Sequence, residues 1–210
     1  MVHDDRTIRL AALCRSVRTL GPGARNAIWL QGCPFNCLGC IAPEFRTFSG
    51  GEVWSLDSLA NWHLVSPNEG LTISGGEPFH QAASLADLLK RVRSATPSII
   101  LYSGYTLAQL ERSAAGCPAT RAALDHCDVL IDGLYDHARN DSTGLRGSSN
   151  QSVHFLTTRH AEDRVTFEEA PRQIEVHAQA DGILQAGLPS IKEWRTAPLP
   201  RISPPGEQHD

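Results

Sequence analysis

Three cysteines on one short loop constrain this chain more than any other feature of its sequence. Cys33, Cys37 and Cys40 have the spacing C-x₃-C-x₂-C and follow the apolar run of residues 27–30. Closed zinc sites and ordinary electron-transfer iron–sulfur clusters usually take four protein ligands. Three thiolates on one loop instead suit three irons of a [4Fe–4S] cluster and leave the fourth iron open. An open iron binds a small molecule and acts on it, so the spacing predicts a reactive cluster.

Two other interpretations of the cysteine loop stay open. A zinc site needs a fourth ligand from elsewhere in the chain, for which His80, His137 and His154 are candidates at undetermined distances. A structural loop without metal is the second alternative. The other cysteines lack ferredoxin-like spacing, and we expect them to be small buried hydrophobic residues. They are Cys14, Cys117 and Cys127.

Charge and hydropathy argue against several kinds of partner. The chain carries 19 Lys and Arg against 23 Asp and Glu, a net charge of −4, whereas nucleic-acid binding favours a basic face. No apolar run approaches the length of a membrane span, and the polar residues 1–6 do not resemble a secretory signal. We therefore expect a cytoplasmic protein with neither nucleic acid nor membrane as partner. In a cytoplasmic protein, a cluster of cysteines is typical of a metal site rather than of disulfides.

Short apolar runs alternate with helical patterns over residues 7–133. The runs near residues 71–74, 98–102 and 128–131 are typical of strands in a largely parallel sheet. Helical spacing between them, as in residues 82–94, predicts β/α units and an α/β fold. In such sheets ligands bind at the carboxyl ends of strands. Four loops with unusual residues follow strand ends: the cysteine loop, Gly75-Gly76-Glu77-Pro78, Ser103-Gly104-Tyr105 and Asp132-Gly133.

The run Gly75-Gly76-Glu77-Pro78 predicts a second half of the same site. Paired glycines let the backbone approach a ligand closely and present its polar groups. Glu77 adds a fixed acceptor for an ammonium group. Taken alone the run is an ordinary turn, but beside an open iron it predicts a site for an amino-acid-like ligand.

Together these motifs resemble those of the radical S-adenosylmethionine (SAM) superfamily. The cysteine spacing looks like its cluster motif, and Gly75-Gly76-Glu77-Pro78 looks like its methionine-binding motif. Over about residues 20–156 the order of further runs is similar to that of the glycyl-radical enzyme activases, in particular the activating proteins of anaerobic ribonucleotide reductase. Those runs are residues 21–25, 32–33, 74–79, 104–105, 129–133 and 146–151.

The resemblance implies a fold, two cofactors and a reaction. The expected fold is an incomplete parallel β/α barrel with a small C-terminal hairpin extension, and the cofactors are a [4Fe–4S] cluster and SAM. One electron from a flavodoxin- or ferredoxin-like reductant would cleave SAM to methionine and a 5′-deoxyadenosyl radical. In activases that radical takes a hydrogen atom from a glycine of a partner glycyl-radical enzyme.

The resemblance also implies site residues. Cys33, Cys37 and Cys40 would be the cluster ligands. The positions expected to bind SAM are Gly39, Cys40, Ile41, Gly75, Gly76, Glu77, Ser103 and Asp132. For Asp132 the alternative is a carboxylate that caps a helix or turn. Gly39 departs from many superfamily members, which place an aromatic residue there, so the adenine contact must come from elsewhere.

The C-terminal quarter of the chain, after about residue 156, has no counterpart in the short activases. We divide the chain into a radical SAM core (1–157), an extension (158–195) with a β-hairpin expected around the Asp181-Gly182 turn, and a tail (196–210) that we expect to be disordered. The extension would cap the barrel opening, bind another partner or take no part in the chemistry. Two other functions therefore stay open: a radical SAM enzyme acting on a peptide or small metabolite, and a non-enzymatic iron–sulfur or zinc protein.

Overall fold

A computed structural model of the chain describes residues 7–66, 68–179 and 182–190. Within these ranges the backbone forms nine strands and five α-helices. In chain order they are β1 (Thr7–Val17), β2 (Arg25–Leu30), β3 (Glu52–Ser55), α1 (Leu56–Leu64), β4 (Gly70–Gly75), α2 (Ala82–Val92), β5 (Ile99–Ser103), α3 (Leu107–Ala114), α4 (Pro118–Asp125), β6 (Val129–Asp132), β7 (Ser152–Phe155), α5 (Arg164–Glu168), β8 (Ile174–Gln179) and β9 (Gly182–Gly187). The predicted disordered tail and Asp181 lie outside the described residues.

Seven strands form one mixed sheet in the order β3-β1-β2-β4-β5-β6-β7. The four central strands β2, β4, β5 and β6 run parallel, whereas β1, β3 and β7 pair antiparallel at the two sides. The seven residues 18–24 between β1 and β2 are too few for the crossover that a parallel pair needs, which explains that antiparallel pair. In the described part of the chain the edge strands β3 and β7 do not pair with each other. The incomplete barrel stays a prediction.

The first four helices cover one face of the sheet. Helix α2 buries its apolar stripe completely, with Leu85, Leu88 and Leu89 all fully inaccessible to solvent. These side chains pack with α1, α3, α4 and alternate residues of the central strands in the largest core cluster. Helix α3 begins at a capping box: the Thr106 hydroxyl accepts from the Gln109 backbone, and the Gln109 side chain accepts from the Thr106 backbone.

The opposite face of the sheet is covered by the C-terminal residues. Leu184 and Ala186 of the antiparallel β8–β9 hairpin pack against Val17 and Ala27 of β1 and β2. Phe167 of α5, fully buried, packs in a cluster with residues of β5 and β6. Parallel strands with continuous apolar runs need cover on both faces, so the extension completes the core. Within the described residues no helix is long and apolar enough to cross a bilayer.

A buried histidine joins α1 to the sheet and to the end of α2. His63 is 2% exposed; its Nδ1 lies 2.9 Å from Asn26 Nδ2, and its Nε2 lies 2.8 Å from Thr96 Oγ1. Thr96 Oγ1 donates its own proton to the Val92 carbonyl, so the network assigns the Nε2–H tautomer with Nδ1 as acceptor. Burial lowers the pKa of His63 to about 4. A proton on Nδ1 would face the amide donor of Asn26, which also disfavours the charged form of His63.

We therefore expect His63 to make the protein less stable in mild acid. Unfolded His63 protonates near pH 6.5 while folded His63 stays neutral to about pH 4, so its contribution is present above pH 6.5 and is lost as pH falls through that window. The loss is about 1 kcal/mol between pH 7.5 and 5.5 and about 3 kcal/mol by pH 4. Urea unfolding of wild type and His63→Gln at both pH values measures it. Equal pH dependence in the two chains would contradict the assignment.

Candidate functional site

A cavity of about 160 Å³ lies at the carboxyl ends of β4, β5 and β6. Most of the residues that the sequence singles out line it: Cys33, Cys37, Cys40, Ile41, Gly75, Gly76, Glu77 and Ser103. Gly39 and Asp132 are not among the lining residues. The parallel central strands explain the convergence, because their carboxyl ends share one edge of the sheet.

Backbone hydrogen bonds hold the cysteine loop. The Cys33 amide donates to the Arg46 carbonyl at 3.0 Å, and the Cys40 amide donates to the Cys37 carbonyl at 3.3 Å. All six cysteines of the chain are free thiols. Burial raises the pKa of Cys33 to about 11, and it also raises that of Cys40. These thiols are therefore protonated at neutral pH until iron displaces their protons.

The donor set of the cavity fits a [4Fe–4S] cluster better than a single metal ion. Within the described ranges, no three side chains of His, Cys, Asp or Glu converge closely enough to bind one ion. In a cluster each thiolate binds a different iron, so the sulfurs stand apart around the cube. Three half-buried thiols that reach one cavity without meeting at one point suit that arrangement. The cluster is the metal centre that this donor set fits.

The two glycines at the end of β4 join the second motif to the cysteine loop. The Gly76 amide donates to the Leu30 carbonyl at 2.7 Å, and the Glu77 amide donates to the Gly32 carbonyl at 2.9 Å. A Cβ atom on Gly76 would overlap the Gly32 carbonyl oxygen and lie 2.9 Å from the Phe45 carbonyl oxygen. Gly75 has a φ of +103°, which favours glycine. Close backbone packing thus explains both glycines, and their contact with SAM stays a prediction.

Glu77 serves as an internal anchor of the site. Its carboxylate accepts from the Gly104 amide at 2.7 Å, the Phe79 amide at 3.0 Å and the Ser103 hydroxyl at 3.0 Å. Glu77 is 1% exposed, and burial raises its pKa to about 7 against the opposing effect of these three donors. The carboxylate that the sequence assigns to an ammonium group therefore already ties the motif to the end of β5. Ser103 supports it from the cavity wall.

Asp132 is committed to a helix rather than to the cavity. Its carboxylate accepts from the backbone amide of Leu107, the first residue of α3, and lies 2.9 Å from His154 Nε2. Asp132 is 3% exposed. The arrangement is the capping role that the sequence left as its alternative, since a buried carboxylate satisfies the free amides of a helix N-terminus. A contact between Asp132 and SAM stays a prediction that the cavity lining does not support.

His137 explains why position 39 carries no side chain. Gly39 has a φ of +72°, and a Cβ atom there would lie 3.0 Å from the His137 ring. His137 Nδ1 lies 3.2 Å from the hydroxyl of Tyr135, which lines the cavity. Tyr135 and His137, after β6, therefore add aromatic side chains to that of Phe35 within the cysteine loop.

The cavity is also lined by residues that the sequence did not assign to cofactor binding, although some lie in loops or runs that it singled out. They are Phe35, Arg46, Ser74, Tyr102, Gly104, Gly133, Tyr135, Asn140, Gly147, Gln151, Arg172, Leu188 and Pro189. Phe35 packs edge-on against Tyr105, with ring centroids 4.7 Å apart. Gly147 and Gln151 could have been found from the sequence, because the run of residues 146–151 is one of those that resemble the activases. Arg172, Leu188 and Pro189 come from the extension, where neither spacing nor resemblance pointed to the site.

The chain is similar in sequence to several known proteins. Residues 19–154 match the family described as "4Fe-4S single cluster domain". A protein of Vibrio cholerae named anaerobic ribonucleoside-triphosphate reductase-activating protein is 33% identical over 150 residues, which are 65% of this chain and 91% of that protein. Relatives of the same name from Haemophilus influenzae and Escherichia coli are 32% and 28% identical over 146 and 148 residues. These aligned residues are 64% of this chain and 89% of the Haemophilus influenzae protein, and 65% of this chain and 91% of the Escherichia coli protein.

Proposed function

Because this chain belongs to the 4Fe-4S single cluster domain family and to the family of anaerobic ribonucleoside-triphosphate reductase-activating proteins, we propose that it is a radical SAM activase of an anaerobic ribonucleotide reductase. One observation carries the proposal. The three cysteines and the Gly75-Gly76-Glu77 turn line the same cavity at the carboxyl ends of parallel strands. An incomplete barrel open at this edge is part of the same proposal, supported by the four parallel central strands.

The chain's own side chains would hold the two cofactors. Cys33, Cys37 and Cys40 would bind three irons of the cluster, and the turn at Gly76 and Glu77, on the wall of the same cavity, would orient the amino-acid end of SAM. A bound [4Fe–4S] cluster supplies one electron to SAM, whose cleavage yields methionine and a 5′-deoxyadenosyl radical that takes a hydrogen atom from a glycine of the reductase. The protein positions the reactive carbon and excludes water and competing reactions.

The electron comes from outside the chain in this proposal. Leu38, between the second and third cysteines, is 85% exposed, so the cluster loop lies at the surface where a small flavodoxin- or ferredoxin-like protein can approach. We place the reaction in the cytoplasm, with the reductase as protein partner. No nucleic acid takes part, in keeping with a net charge of −4.

The test has two stages. The chain is reconstituted anaerobically with iron and sulfide, reduced and mixed with SAM, and equal amounts of 5′-deoxyadenosine and methionine are expected. The anaerobic reductase of the same organism, labelled with deuterated glycine, is then added. We expect a glycyl radical in its electron paramagnetic resonance spectrum and deuterium in the 5′-deoxyadenosine.

Three outcomes separate the alternatives. Reconstituted protein that binds zinc and never consumes SAM overturns the enzymatic proposal. SAM cleavage without a radical on the reductase overturns the activase proposal, and transfer of deuterium from a peptide or metabolite then identifies the other radical SAM function. Deuterium transfer from the reductase supports the activase.

A further inference from the structure

The C-terminal extension contributes part of the wall of the candidate SAM cavity. Arg172, Leu188 and Pro189 line it together with the cysteines. The match to the 4Fe-4S family ends at residue 154. Residues beyond the family's common sequence therefore shape the site at which the common residues act.

Arg172 connects this extension to the loop after β6. Its side chain is 1% exposed. Its Nη1 donates to Asn140 Oδ1 at 2.6 Å, and its Nη2 donates to the carbonyl oxygens of Arg146 at 2.6 Å and Gly147 at 2.9 Å. Asn140 and Gly147 themselves line the cavity. A single buried guanidinium thus holds two separate points of the cavity wall, which a fork of fixed donors can do.

The backbone joins the same two segments. The Gly144 amide donates to the Ala170 carbonyl at 2.8 Å, and the Leu145 amide donates to the Phe167 carbonyl at 2.8 Å. The Leu145 carbonyl in turn accepts from the hydroxyl of Tyr102, a cavity residue of β5, at 2.9 Å. Phe167 is anchored in the core. The extension, the loop and the strand end therefore form one support, with Arg172 at its cavity side.

We propose that Arg172 is a positioning residue for SAM, which sets the Asn140–Gly147 part of the cavity wall against the bound adenosylated amino acid. The inference rests on the proposed function, because it assumes that SAM occupies this cavity. Without the guanidinium, these three acceptors lose a donor, as do the Pro189 carbonyl at 3.4 Å and Asp141 Oδ1 at 3.3 Å, and the wall is free to shift. The cysteines and the Gly76–Glu77 turn contact other residues, so cluster assembly does not depend on Arg172.

The experiment compares Arg172→Gln with Arg159→Gln, which changes an exposed arginine of the same extension. SAM affinity of each reconstituted chain is measured by anaerobic calorimetric titration, together with iron content and thermal stability. We expect Arg172→Gln to weaken SAM binding at least 10-fold with wild-type iron content, and Arg159→Gln to match wild type. Arg172→Lys should fall between, because an ammonium group reaches some of the five acceptors but not all.

Asn140→Ala removes the shortest side-chain contact of Arg172 from the loop side and serves where Arg172→Gln fails to fold. If both residues act through one contact, the double variant loses about as much SAM affinity as the more weakly binding single variant. Independent residues would instead give a loss equal to the product of the two single fold-changes. The inference would be overturned if the two fold-losses of SAM affinity multiply in the double variant. Wild-type SAM affinity in Arg172→Gln or in Asn140→Ala would also overturn it. A wild-type chain that binds no SAM overturns the proposed function instead.

Discussion

The Cys37→Ala chain is expected to lose its [4Fe–4S] cluster and all measurable cleavage of SAM. The cysteine loop supplies three thiolates to the cavity, and removing one leaves two ligands for a cube that needs three protein contacts beside its open iron. Loss of even an outer-shell partner weakens metal binding about 10- to 100-fold, so loss of a ligand should exceed about 100-fold. Iron and sulfide content per chain and 5′-deoxyadenosine production measure the effect.

Cys117→Ser is the matched control for this substitution. Cys117 is a free thiol that precedes α4, remote in sequence from the cysteine loop and absent from the cavity lining. Serine suits that position before a helix. We expect wild-type iron content and activity. A Cys37→Ala chain with full iron content would refute the ligand assignment, and loss of the cluster in Cys117→Ser would point to a second site.

Gly76→Ala is expected to damage the site through packing rather than through chemistry. A methyl group on Gly76 would overlap the Gly32 carbonyl oxygen and lie 2.7 Å from its carbon, so either the β4 turn or the cysteine loop must move. Overpacking of this kind costs about 1–3 kcal/mol, which lowers the melting temperature of a chain of this size by about 2–12 °C. We also expect SAM affinity to fall at least about 10-fold.

Gly116→Ala provides the comparison within the same chain. A Cβ atom on Gly116 would lie 4.0 Å from its nearest neighbour, the Ser113 carbonyl oxygen, so the added methyl group meets open space. Melting temperature, iron content and SAM affinity should stay close to wild type. If Gly76→Ala behaves like Gly116→Ala in all three measurements, the packing argument for the Gly76 position is wrong.

Local sequence was sufficient for most of the elements that carry the site. The helical spacing of residues 82–94 predicted α2, and Thr106 with Gln109, three residues apart, form the capping box that starts α3. Both signals act over one or two helical turns, where nearby side chains decide the backbone. No local pattern predicted strand β3, by contrast. It is a short edge strand made by pairing with β1, a contact that no local pattern encodes.

The roles of the two strand-end carboxylates could not be settled from sequence. A carboxylate after a strand can accept from a ligand or from the protein's own amides, and its partners come from distant segments. Glu77 accepts from Gly104 and Ser103, and Asp132 accepts from Leu107 at the start of α3. Only the approach of β5 and α3 to these strand ends revealed that both carboxylates stabilise the scaffold.

By itself the sequence determined that Cys33, Cys37 and Cys40 share one loop and that a glycine-rich turn follows another strand. The spacing of ligands within a loop is a property of the chain, and parallel strands bring such loops to one edge. Only the tertiary structure decided that the extension closes the other face of the sheet and that Arg172 reaches the cavity. Its partners, Asn140 and Gly147, lie far back along the chain, and such contacts depend on core packing rather than on periodicity.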